Sequence, residues 1–157
     1  MRGNKAIHRN IVEPDARYKN TNIAKFINKI MLDGKKVTAV NLVYGAMDEI
    51  QKRTELDPVM VFETAIKNAS PQLEVRSKRI GGATYQVPME VRQDRKIALA
   101  TRWVINAARK RQGKSFDIFL ADELIDTYNE TGTAIKKKEE MHKMAEANKA
   151  FVHFARF

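Results

Sequence analysis

Apolar residues recur every three to four positions along most of the chain, which is the spacing of one face of an α-helix. Helix-starting residues precede several of these runs, notably residues 20–22, the pair Asp57-Pro58 and Ser115, and Gly34 follows the first run. Asn, Asp and Ser side chains cap helix N-termini, and proline fits the first helical position. The pattern predicts six helices, at about residues 23–31, 37–50, 58–69, 92–111, 116–128 and 133–149.

The period of the apolar positions changes to two between residues 73 and 91. Leu73 and Val75 alternate with charged residues, and Tyr85 and Val87 alternate with polar ones, on either side of the pair Gly81-Gly82. Glycine tolerates the positive φ angles that tight hairpin turns require. This segment is therefore predicted to be a β-hairpin, and its base must rest on the helices because an isolated two-stranded ribbon is marginally stable in water.

The predicted fold is mainly α, with a six-helix, bundle-like body and one projecting two-stranded antiparallel β-hairpin. A chain of 157 residues has the usual size of one domain, and it contains no internal repeat or linker-like stretch. We expect one RNA-binding domain over residues 1–157. It comprises a basic N-terminal arm at 1–20, the hairpin at 73–91 and an aromatic C-terminal tail at 150–157.

Positive charge dominates the composition and is unevenly spread. The chain has 29 Lys and Arg against 19 Asp and Glu, a formal net charge of +10. Residues 71–112 contain 10 basic and 3 acidic residues, a net +7, whereas residues 113–135 contain 1 basic and 5 acidic residues, a net −4. This distribution predicts one continuous basic face, typical of a nucleic-acid binder, and a separate acidic patch on the fifth helix.

Other kinds of function lack their characteristic residues. There is no cysteine, and His8, His142 and His153 do not have the spacing of metal ligands, so we expect no metal and no cofactor. The phosphate-binding glycine loop and the nucleophile elbow are both absent, and no catalytic residue is predicted. No stretch approaches the roughly 20 apolar residues of a membrane span, which favours a cytoplasmic protein without a membrane partner.

Three arginines on the fourth predicted helix, Arg95, Arg102 and Arg109, are spaced seven residues apart. Residues at this spacing drift only about 20° around a helix per step, so we expect a straight row of guanidinium groups. Trp103 adjoins the row. Its ring could stack on a nucleobase, but at helical spacing beside Val104 we expect it to be a core anchor. The charge pattern by itself fits an RNA binder, a DNA-bending protein or an adapter for an acidic protein.

Four segments, in order, closely resemble the bacterial form of the small-ribosomal-subunit protein seven family. They are residues 25–36 (KFINKIMLDGKK), 81–88 (GGATYQVP), 102–111 (RWVINAARKR) and 142–151 (HKMAEANKAF). The resemblance runs from about residue 14 to residue 153. The first residues carry fewer arginines than the usual start of the family, and the chain ends in FARF in place of the usual ending.

The resemblance implies a helical body with a β-ribbon arm. It also implies a structural protein of the ribosome that is a primary binder of the 3′ major domain of 16S rRNA, nucleates assembly of the 30S head and takes part in translation. The family lies near the transfer RNA exit site and the messenger path. We expect the acidic fifth helix and the tail to contact neighbouring small-subunit ribosomal proteins.

Carried over to this chain, the resemblance implies two groups of contact residues. Those expected to bind rRNA are Arg2, Lys5, Arg9, Lys25, Lys29, Lys35, Lys36, Arg76, Lys78, Arg79, Arg92, Arg95, Lys96, Arg102, Arg109, Lys110, Arg111, Lys136 and Lys137. Those expected to lie near exit-site tRNA and mRNA are Arg79, Gly81, Gly82, Lys143 and Lys149.

Overall fold

A computed structural model describes residues 12–156 and contains six α-helices, one β-hairpin and a C-terminal 3₁₀ helix within that range. The helices are α1 (Thr21–Ile30), α2 (Lys36–Thr54), α3 (Pro58–Ala69), α4 (Gln93–Lys110), α5 (Phe116–Tyr128) and α6 (Thr133–Ala147). The strands are β1 (Leu73–Ile80) and β2 (Ala83–Glu90), and the 3₁₀ helix is Lys149–Arg156. The predicted fold class is confirmed, and the 3₁₀ helix was not predicted. Among the residues described, no helix is long and apolar enough to cross a bilayer.

Side-chain caps set the starts of two helices where the sequence places them. The Asn20 side chain accepts hydrogen bonds from the backbone N–H groups of Asn22 and Ile23, at 2.8 and 3.4 Å. The Asp57 carboxylate accepts from the backbone N–H of Val59 at 3.0 Å, with proline in the first helical position. These caps satisfy N–H groups that have no partner inside the helix.

The side chain of Ser115 does not form the helix cap that was predicted for it. Ser115 lies at the N-cap position of α5, but its side chain makes no bond to the helix backbone. Its hydroxyl donates instead to the carboxylate of Asp117. The hydroxyl thus donates its proton to a charged acceptor, while its oxygen accepts no backbone N–H of α5.

Helix α5 lies at the centre of the body and packs against α2, α3, α4 and α6. Its buried residues are Phe119, Leu120, Ala121, Glu123, Leu124 and Thr127. The prediction that its carboxylates form an acidic outer face is wrong, because Glu123 is completely buried and Asp122 and Asp126 are each ion-paired. Surrounded by other helices on several sides, α5 has no broad face left for solvent.

The hairpin has a regular register and a two-residue turn. Leu73 pairs with Glu90 at the base, and Ile80 pairs with Ala83 beside the turn. Gly81 and Gly82 have φ angles of 56° and 89°, as the type I′ turn of a two-residue hairpin demands. The predicted strands and turn are confirmed.

The two strands place their apolar residues on opposite faces of the hairpin. Directly paired residues share a face, so Glu74 and Arg76 of β1 lie beside Met89 and Val87 of β2. Leu73 and its alternate neighbours lie on the other face. Glu74, which the alternation assigns to a polar face, is therefore covered and only 5 % exposed.

The C-terminal 3₁₀ helix packs on β2. The ring of Tyr85 lies 5.3 Å from the ring of Phe151 and 4.9 Å from that of Phe154, measured between centroids. The ammonium group of Lys78 donates to the backbone carbonyl of Phe154 at 3.1 Å. The aromatic residues predicted as a tail are thus used within the chain to hold one side of the hairpin.

Candidate nucleic-acid interface

Helix α4 divides its surface between the core and a row of arginines. Its inner side buries Leu99, Ala100, Thr101, Val104, Ile105, Ala107 and Ala108. Arg95, Arg102 and Arg109 are exposed, and Arg92 just before the helix is exposed as well. Trp103 is half-buried and packs against the core, so its predicted role as a core anchor is confirmed. We call Arg95, Arg102 and Arg109 the arginine row.

Helix α1 runs beside the arginine row and adds two lysines to it. The ammonium group of Lys29 donates to the carbonyl of Ala98 on α4, at 3.4 Å, and Arg109 donates to the carbonyl of Ile30 at 3.1 Å. Burial lowers the pKa of Lys29, and the positive charges of Arg102 and Lys25 lower it further. The structure therefore gathers like charges that are far apart in the sequence, which is unfavourable unless an anion lies beside them.

A buried carboxylate joins the base of the hairpin to the arginine row. Glu74 accepts from Arg76 on its own strand and, at 3.2 Å, from the Nε atom of Arg95 on α4. The side chain of Glu74 is 6 % exposed, whereas the two arginine side chains remain 56 % and 43 % exposed. The carboxylate thus fixes the two guanidinium groups while leaving much of each open to a ligand. Glu74 is not among the site residues predicted from the sequence.

The remaining basic residues of the hairpin and the first loop are mostly exposed. Arg79, Gly81 and Gly82 form the exposed tip of the hairpin, and Lys78 is half-buried against the 3₁₀ helix. Lys35 is exposed in the turn between α1 and α2, and Lys36 is exposed at the first position of α2. This turn follows Ile30, to which Arg109 is bonded, so these lysines extend the basic surface past the end of the arginine row.

Helix α6 meets the base of the hairpin through a histidine. His142 Nε2 accepts a hydrogen bond from the backbone N–H of Gln72 at 3.1 Å, and it can do so only in its neutral form. Burial, together with the nearby charge of Lys138, lowers the pKa of His142. Lys143 and Lys149 are exposed farther along, and Lys149 pairs with Glu146 at 3.3 Å.

Arg111 does not join the basic surface. It lies 2.6 Å from a carboxylate oxygen of Glu123, 2.6 Å from one of Asp126 and 3.7 Å from one of Asp122. Its charge is compensated within the protein by these carboxylates, all of which lie on α5. Lys110 beside it is exposed. We therefore leave Arg111 out of the interface proposed below.

The other predicted contact residues are divided between α6, α4 and the N-terminal arm. Lys136 and Lys137 are exposed at the start of α6, and Lys137 pairs with Glu140 at 2.7 Å. Lys96 is half-buried and lines the same groove as Lys25 and Lys29. Arg2, Lys5 and Arg9 lie outside the residues that the structure describes.

Comparison with known proteins identifies the family to which this chain belongs. The family model described as Ribosomal protein S7p/S5e matches residues 1–149. The chain is 57 % identical over 141 residues to the small ribosomal subunit protein uS7 of Desulfitobacterium hafniense, which covers 90 % of each chain. It is 55 % identical over 143 residues to uS7 of Thermotoga petrophila, covering 91 % of this chain and 92 % of the relative. It is also 54 % identical over 155 residues to uS7 of Chloroflexus aurantiacus, covering 99 % of this chain and 98 % of that one. The chain therefore belongs to the ribosomal protein S7p/S5e family, in its bacterial form.

Proposed function

We propose that this chain is a single RNA-binding domain that binds the 3′ major domain of 16S rRNA and nucleates assembly of the 30S head. Membership of the family makes it a structural, non-catalytic constituent of the small ribosomal subunit, which works in the bacterial cytoplasm. The proposal adds which RNA it binds and which of its surfaces makes the contact.

The exposed arginine row is the observation that carries this proposal. A helix rises 1.5 Å per residue, so Arg95 and Arg109, fourteen positions apart, span about 21 Å along α4. Lys25, Lys29, Lys35 and Lys36 widen the row on the α1 side. A cationic strip of this length can follow the phosphates of a folded RNA, which proteins recognise mainly through shape, phosphates and irregular elements.

Glu74 supports a rigid rather than a diffuse contact. By holding Arg76 and Arg95 together, it gives the hairpin base and the start of the arginine row a fixed relation. Side chains that are already ordered lose less conformational entropy when they bind. A folded RNA domain with fixed phosphate positions is the kind of partner that benefits from this order.

The hairpin tip and the end of α6 are proposed to lie towards exit-site tRNA and mRNA. Arg79, Gly81 and Gly82 are exposed at the tip. Lys143 is exposed on α6, which packs on β1, and Lys149 is exposed at the start of the 3₁₀ helix that follows. The two glycines leave the tip without side chains, so another backbone can approach closely. Neighbouring ribosomal proteins are proposed to contact the exposed parts of the 3₁₀ helix, at Val152 and His153.

Binding measured across a salt series tests the proposal. The purified chain is titrated with the transcribed 3′ major domain of 16S rRNA, with an unrelated RNA of equal length and with duplex DNA. We expect a clear preference for the rRNA domain and a steep fall in affinity with salt, since each phosphate contact contributes roughly 0.7–0.9 to the log-log slope. Equal binding to all three nucleic acids, or a preference for the duplex, contradicts the proposal.

A pair of variants locates the contact. Arg102→Ala removes one exposed charge from the arginine row, and Lys52→Ala removes one exposed charge from the end of α2 as its control. Hydrogen bonds to charged groups contribute about 1.5–3 kcal/mol, so we expect Arg102→Ala to weaken binding at least tenfold and to flatten the salt slope by about 0.7–0.9. The double variant with Arg95→Ala should bind more weakly still. If Arg102→Ala binds like Lys52→Ala, the arginine row is not the contact.

A further inference from the structure

A groove of about 960 Å³ lies between α1, α3 and the first half of α4. Four lysines from three helices surround it, namely Lys25 and Lys29 from α1, Lys67 from α3 and Lys96 from α4. The volume falls within the range of roughly 300–1,000 Å³ that is usual for sites binding small organic groups. Lys67 is of particular interest because α3 contributes no residue to the arginine row.

The groove combines an apolar floor with polar edges. Ile97 and Ala98 supply the accessible apolar part, whereas the lining residues Phe62 and Ile66 are buried. The side-chain amides of Asn28 and Gln93 lie among its edges. Aliphatic side chains can pack against the flat face of a nucleobase, while amides can donate to and accept from the edge of the base. The groove thus offers two kinds of contact that the open arginine row does not.

Two carboxylates also line the groove, Glu63 and Asp94. Glu63 already accepts from the side-chain amide of Asn20 at 2.7 Å. A carboxylate repels phosphate but accepts well from the exocyclic amino group of a base. Four lysines against two carboxylates leave the rim net positive, so the mixed lining fits a nucleotide better than a phosphate alone.

Lys29 stands between the groove and the arginine row. One of its three N–H bonds is directed to the Ala98 carbonyl, which leaves two for a ligand. Its partial burial beside Lys25 and Arg102 makes its positive form costly until an anion approaches. The phosphate of an RNA strand that crosses from the arginine row into the groove would relieve this repulsion.

We propose that the groove between α1, α3 and α4 receives an unstacked nucleotide of the bound RNA, with the base against Ile97 and Ala98 and its phosphates beside Lys25 and Lys29. This inference rests on the proposed function and adds a base-binding site to it. A single-stranded loop or bulge of the RNA is the source, because only an unpaired base can leave its stack at small cost.

Filling the groove without changing its charge tests the insertion. Ala98→Trp places an indole in the groove, and Gln51→Trp, at an exposed position near the end of α2 and away from the arginine row, is the control. Each variant is titrated with the transcribed 3′ major domain of 16S rRNA, and urea unfolding checks that it is folded. We expect Ala98→Trp to raise the Kd about tenfold and Gln51→Trp to change it less than twofold. If Ala98→Trp does not fold, Gln93→Trp at the exposed edge of the groove takes its place.

A second variant tests the charge on the far side of the groove. Lys67→Ala should raise the Kd at least threefold and flatten the salt slope, whereas Lys52→Ala should leave both unchanged. If folded Ala98→Trp, or Gln93→Trp in its place, binds the rRNA domain with the Kd of wild type, the proposal is overturned, even if Lys67→Ala weakens binding. Failure of the wild-type chain to prefer the rRNA domain overturns the proposed function instead, so the two failures are distinguishable.

Discussion

Replacing Glu123 by methionine should destabilise the protein severely although the residue is far from the proposed RNA surface. Glu123 is fully buried. One carboxylate oxygen accepts the backbone N–H of Ala134 at 2.9 Å, and the other accepts from Arg111 at 2.6 Å. Helix α6 has Gly132 at its N-cap and no side-chain cap of its own, so Glu123 performs that role from α5.

The size of the effect follows from these two contacts. Methionine is similar in length but accepts neither bond, which leaves the buried N–H of Ala134 unpaired at a cost of about 1–3 kcal/mol. In the variant Arg111 still forms an ion pair with Asp126 at 2.6 Å, and its side chain is 29 % exposed. Losing the Arg111–Glu123 ion pair should therefore cost less than the 3–5 kcal/mol expected for breaking a fully buried pair. Together we expect Glu123→Met to lower the free energy of unfolding by about 3–4 kcal/mol. Glu123→Gln keeps an acceptor for Ala134 and should cost about half as much.

Urea unfolding followed by far-ultraviolet circular dichroism measures this free energy, provided that the slope with urea is unchanged. Glu139→Gln, at an exposed position of α6, is the matched control and should remain within about 0.5 kcal/mol of wild type. A loss below about 1 kcal/mol for Glu123→Met would refute the reasoning, because it would mean that neither buried contact stabilises the fold. Equal losses for Met and Gln would show that the charge matters and the cap does not.

Two further predictions concern the elements that hold the hairpin. The pKa of His142 is lower in the folded state than in the unfolded chain, so as pH falls the unfolded chain binds that proton first. The free energy of unfolding should therefore decrease below about pH 6.5, and His142→Gln should lessen that decrease. If the free energy of unfolding depends on pH in the same way in wild type and His142→Gln, this prediction is wrong. Phe151→Ala with Phe154→Ala removes the rings that pack on Tyr85, so the hairpin amides should exchange faster with solvent, whereas Val152→Ala, at an exposed position, should leave their protection unchanged. Unaltered exchange in the double variant would mean that the 3₁₀ helix does not hold the hairpin.

The helices and the hairpin could be predicted because their signals are local. A period of 3.6 or 2 is visible within ten residues, and the caps at Asn20 and Asp57 lie within three residues of the groups they bind. The Gly81-Gly82 turn is equally local, since positive φ at both positions is nearly reserved for glycine. Tertiary packing did not need to be known for any of these elements.

The buried carboxylates could not be predicted because their partners are distant in sequence. Glu74 binds Arg95, 21 positions away, and Glu123 binds Arg111, 12 positions away. An acidic residue on a helix is usually solvated, and that general rule led to the wrong prediction of an acidic outer face for α5. The alternation along β1 would likewise assign Glu74 to solvent, although it shares a covered face of the hairpin with Met89 and Val87 of β2.

The position of these carboxylates changes how the charge of the whole molecule should be understood. The sequence contains an acidic segment at residues 113–135, yet Asp122 pairs with Arg53, and Glu123 and Asp126 pair with Arg111. Those arginines are thereby removed from the charge available to a ligand, and three of the five carboxylates of the acidic segment are compensated with them. The net charge of +10 is unchanged by such pairing, so the excess must be carried by the remaining basic residues. Many of these lie on α1, α4 and the hairpin, where Glu74 orders two arginines without covering them. The internal ion pairs therefore concentrate the positive potential on the face that we propose for rRNA, and a charge removed from that face should cost more affinity than one removed elsewhere.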